Sequence, residues 1–71
     1  MNREELIARK GAIRAELTRT LQTLERTRAE ADAASGLQRR YLQRRVAQLE
    51  TRADALMSEE SRVRQLIDQS R

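Results

Sequence analysis

Seventy-one residues without cysteine or histidine leave no disulfide, no thiolate metal site and none of the usual zinc signatures. Fifteen basic and eleven acidic residues give a formal charge of +4, with the two signs interspersed rather than blocked. Ordering a chain costs about 1.5 kcal/mol per residue, which a core this small barely offsets, so self-association is the staple left to it and a homodimer is expected.

No apolar run approaches the roughly 20 residues that span a bilayer, so no membrane partner is expected. The opening "MNREELIARK" carries acids and no signal-type apolar core, and the plain expectation is a cytoplasmic protein. Proline is absent, glycine occurs only at Gly11 and Gly36, and Ala, Leu, Arg, Glu and Gln fill most other positions. That composition points to long helices or a coiled coil.

In chain order, Asn2 followed by Glu5 is a helix-start signal. From there apolar or small residues recur at steps of four and three: Leu6, Lys10, Ile13, Leu17, Thr20, Leu24, Thr27, Ala31, Ala34. This is a coiled-coil seam with a few polar positions. It loses phase at Ser35-Gly36. Ser35 with Gln38 matches a capping box, while Gly36 alternatively marks a left-handed terminator, so a turn at 35–36 follows on either reading. A second seam then runs Leu42, Val46, Leu49, Ala53, Leu56, Glu60, Val63, Ile67. Helices are expected at about 3–34 and 37–69, within one domain covering 1–71.

Folding the second seam back on the first pairs Leu6 with Ile67, Leu17 with Leu56, Thr20 with Ala53, Leu24 with Leu49, Thr27 with Val46 and Ala31 with Leu42. The mismatched layers, Lys10/Val63 and Ile13/Glu60, are adjacent, so Lys10 and Glu60 are expected to meet as an ion pair that fixes register. The fold class is therefore all-α: an antiparallel two-helix coiled-coil hairpin, dimerising into a four-helix bundle. One unbroken helix pairing with a second chain is the alternative. Ile7, Leu21 and Leu66 are expected along one edge as the dimer interface, with Arg14 and Glu59 pairing between them and Met57 opposite. Scattered surface apolars are the bland reading of the same residues.

Nothing points to catalysis. Histidine is missing, no glycine-rich phosphate loop exists, and Glu4-Glu5 and Glu59-Glu60 point to different sides of a helix. No enzyme, no metal and no cofactor is expected.

The segment "LQRRYLQRRVAQL" holds four arginines and the chain's only aromatic, with no acid. Cations near a helix N-terminus typically cost ~0.3–1 kcal/mol each, so stability does not account for them. Glu30 and Asp32 across the turn are the candidates to offset that cost. With Leu42, Val46 and Leu49 inward, Leu37, Arg40, Tyr41 and Arg44 face outward, and Arg39 and Arg45 lie at the margins. These six form the candidate partner-binding site: aromatic, aliphatic and arginine side chains have the composition of an interface hot spot. The partner expected is a host or cellular protein with an acidic surface. A nucleic acid is the runner-up, suggested by clustered arginines, although one aromatic builds no stacking platform. A structural coiled-coil adaptor, using the seam edges alone, is the third reading.

The seams from Leu6 to Ile67 and the Arg40-Tyr41-Arg44 group resemble small phage-encoded helical-hairpin modulators that disable host regulators, among them anti-activators of quorum-sensing transcription factors. That resemblance implies an inhibitor that covers a functional surface of its target, with Tyr41 as anchor and the arginines selecting an acidic site. In architecture alone the hairpin also resembles the plasmid-encoded hairpin dimer that binds RNA loop pairs.

Overall fold

The computed structural model describes residues 2–70; Met1 and Arg71, which the single-domain reading includes, lie outside the described residues. Two helices, α1 (Arg3–Ala33) and α2 (Gly36–Gln69), pack against each other along their length. The molecule measures 54 × 14 × 13 Å, about half the ~105 Å of a straight helix of the same length, so the chain doubles back and the unbroken-helix alternative is excluded.

The start of α1 is capped as the sequence signals. The Asn2 side-chain oxygen accepts from the Glu5 amide at 2.8 Å, and Asn2 Nδ2 donates to Glu5 Oε1 at 3.3 Å. The turn is built differently from a capping box. Ala34 and Ser35 are extended, and Gly36 adopts the left-handed conformation at φ +64° while already opening α2. The connector is thus Ala34-Ser35, one residue earlier than expected. Ser35 occupies the N-cap position, yet its side chain makes no capping bond. Left-handed Gly36 turns the first amides of α2 away from the geometry in which a serine hydroxyl meets them.

A Cβ at Gly36 meets nothing within 4 Å, so backbone conformation, not space, requires glycine there. An L residue held left-handed costs roughly 1–2 kcal/mol. Gly36→Ala is therefore expected to lower stability by about that amount in urea denaturation, and an unchanged midpoint would show that the turn relaxes into another form.

The seam forms throughout. Every seam position from Leu6 to Ala34 and from Leu42 to Ile67 is buried or half-buried. Leu6, Ile13, Leu56 and Val63 make one buried cluster, with Leu17 and Ile67 packed against it. The terminal half of the hairpin thus holds the bulky layers. Toward the turn, small residues (Thr20, Thr27, Ala31, Ala53) alternate with buried Leu24, Leu42 and Leu49, and the hydroxyls of Thr20 and Thr27 turn back on their own helix. Thr20 donates to the Glu16 carbonyl at 2.8 Å and Thr27 to the Thr23 carbonyl at 2.7 Å, so buried Thr27 leaves no orphaned oxygen.

The ion pairs depart from expectation. Glu60 lies 3.8 Å from Arg14 and 3.5 Å from Arg64 and forms no pair with Lys10. Glu59 pairs with Arg9 at 2.8 Å rather than with Arg14. Arg52 pairs with Glu16, and Arg28 lies 3.6 Å from Glu50. Glu60 is reached by Arg14 from across the seam and by Arg64 from one turn along its own helix, in place of Lys10.

These pairs also fix the edges. Residues seven apart stack along one stripe of a coiled coil. Arg9–Glu59 and Glu16–Arg52 therefore define one edge, and Leu66, seven residues after Glu59, belongs to it. Arg28–Glu50 defines the other edge, joining the stripe Ile7, Arg14, Leu21, Arg28 to the stripe Glu50, Met57, Arg64. The expected grouping of Ile7, Leu21 and Leu66 does not form: Met57 shares the edge of Ile7 and Leu21, and Leu66 sits on the opposite one beside Leu6, Gln69 and Ser70.

Candidate binding surface at the turn end

The first three turns of α2 carry the candidate residues. The helix begins with no acid in its first turn, so the partial positive charge of its free amides has only Arg39 and Arg40 beside it. Glu30 and Asp32 do not neutralise the group: among the described residues no ion pair joins either acid to Arg39, Arg40, Arg44 or Arg45. The arginines that do pair across the seam are Arg9, Arg14, Arg28 and Arg52.

The apolar part of the surface is more exposed than any other large hydrophobic side chain described. Leu37 is 82% exposed and Tyr41 67%. They are four residues apart on one face, close enough to support each other, and Arg40 and Arg44 repeat the same spacing beside them. These four are brought together as the sequence implies. The other two diverge. Arg39 stands one heptad before Val46 and extends the seam line past its last buried layer, whereas Arg45 stands one heptad before Arg52 and belongs to the edge of Arg9 and Glu16. All six are exposed.

A shallow groove of about 220 Å³, lined by Arg28, Ala31, Asp32, Gln43 and Val46, runs beside this surface on the other edge. It is open along its length, so the turn end offers a surface to dock on. Among the described residues no cluster of His, Cys, Asp and Glu is placed to hold a metal ion, and no helix is long and apolar enough to cross a membrane.

The chain matches no protein-family model, no curated protein and no solved structure. Its chemistry must be read from its own residues. Sequence reasoning identified the outward face at the turn but misplaced Met57, whose position depends on which edge the reversed second helix presents. Heptad spacing from Glu50, combined with one cross-seam pair, is the signal that places it.

Proposed function

We propose that the chain is a non-enzymatic protein–protein interaction module. In this reading it is a homodimeric bundle that binds, and inhibits, a regulatory protein such as a bacterial transcription factor. The turn-end surface is the docking site: Tyr41 and Leu37 supply rigid and flexible apolar area, and Arg40 and Arg44 supply charge-assisted bonds to carboxylates. Arg39 and Arg45 extend the positive field on either side. One observation carries the proposal: the most exposed apolar side chains lie among arginines that pair with no acid among the described residues. The resemblance to phage-encoded modulators fits the same arrangement, with the partner's acidic surface supplying the missing counter-charge. A cytoplasmic location suits such a target.

The test is capture of the partner from native extract, followed by binding of the purified partner. Arg40→Glu together with Arg44→Glu is expected to reduce affinity at least tenfold, and wild-type binding is expected to weaken as salt rises. A partner bound equally well by the double variant would overturn the reading. Captured material that nuclease removes would transfer the surface to a nucleic acid, whose affinity falls steeply with salt.

A further inference from the structure

The hairpin exposes more surface than a compact chain of its mass. Its accessible area is 5504 Å², whereas a folded monomer of 8.3 kDa is expected to expose about 4,600 Å². The excess, about 900 Å², matches the roughly 800 Å² that one partner contributes to a standard interface. The molecule therefore has one subunit's share of surface to lose without opening its own fold.

The two edges are unequal claimants for that burial. Arg9–Glu59 and Glu16–Arg52 bridge one edge beside a single exposed apolar side chain, Leu66, and Arg28–Glu50 bridges the other. On this second edge, Ile7, Leu21 and Met57 stand 51%, 44% and 45% exposed. Along α1 this edge continues as Ile7, Gly11, Arg14, Thr18, Leu21, in the same alternating steps of four and three as the buried seam. Ile7 and Leu21 are the apolar members of this stripe, two heptads apart, with Gly11 between them. The charges agree. Arg14, Arg28 and Arg64 share the face with Glu50 and Asp54, so two copies meet with mixed signs, unlike at the all-basic turn.

Gly11 supplies the independent observation. It lies inside a 31-residue helix, where glycine is the poorest residue after proline, yet a Cβ there meets nothing within 4 Å. The hairpin itself gives no reason for a glycine. Close approach of another backbone does.

We propose that a second copy of this chain packs on the face of Ile7, Gly11, Leu21 and Met57, completing the four-helix bundle. This deepens the homodimer reading above and rests on it. Light scattering and sedimentation over a range of concentrations test it. The wild type is expected at twice the chain mass. Gly11→Gln favours helix and meets open space within the hairpin, so it leaves the fold intact while raising the dimer dissociation constant tenfold or more. Met57→Arg is expected to do the same, and Leu66→Arg, on the other edge, to leave the dimer mass unchanged. A dimer indifferent to Gly11→Gln and Met57→Arg overturns the face but not the dimer. A wild-type monomer overturns both.

Discussion

Leu56→Ala is expected to remove about 2–5 kcal/mol of stability, the largest loss of any single truncation in the chain. Leu56 is 1% exposed and belongs to the cluster of Leu6, Ile13 and Val63, the bulkiest part of the seam. Two helices cannot close around a missing side chain as a multilayered core does, because each layer is only one pair deep. A chain of this length has roughly 4–10 kcal/mol of net stability in total. The truncation therefore consumes a large fraction of it, and the thermal midpoint is expected to fall by at least about 10 °C. Circular dichroism melts measure this directly. Met57→Ala, one residue away but 45% exposed, is the comparison. In the isolated hairpin it should cost far less, so equal losses at 56 and 57 would mean that the seam faces another way.

How much of this was legible in the sequence follows from what each feature depends on. The seam was fully legible because burial in a two-helix pair is set by backbone period. Lys10 and Glu60, the two charged residues on the seam lines, are half-buried with the rest. The ion pairs were not legible. Several long side chains lie within reach of each carboxylate, and the choice of Arg14 and Arg64 over Lys10 depends on reach rather than spacing. The edges fell between these cases. A seam on one helix does not say which side of it faces left once the partner runs backward, so spacing alone cannot assign Leu66 and Met57 to the edge of Ile7 and Leu21. The turn was located by Ser35-Gly36, but neither sequence reading describes its form: Ser35 makes no capping bond, and left-handed Gly36 opens α2 instead of ending α1.

The same division applies to the turn-end surface. Its exposure follows from the seam, since Leu37, Arg40, Tyr41 and Arg44 lie outward whenever Leu42, Val46 and Leu49 lie inward. Its electrostatic isolation does not, because only side-chain placement shows that Glu30 and Asp32 leave the arginines unpaired.

Tyr41→Ala is expected to weaken partner binding thirtyfold or more while leaving helicity, thermal midpoint and dimer mass unchanged. Buried interface tyrosines commonly contribute 2 kcal/mol or more on truncation, which is about that factor. The separation of the two effects is the point. Tyr41 is 67% exposed, so the fold loses almost nothing with its ring. An aromatic side chain has few rotatable bonds and so loses little entropy on docking. Tyr41→Phe divides the contribution further. Affinity close to wild type would assign the anchor to the ring's apolar area, and a loss matching alanine would assign it to a hydrogen bond from the phenolic O–H. Calorimetric titration of the captured partner reads both variants. If Tyr41→Ala binds that partner as tightly as the wild type, the turn-end surface is not where the two proteins meet, and the four arginines around it need another account.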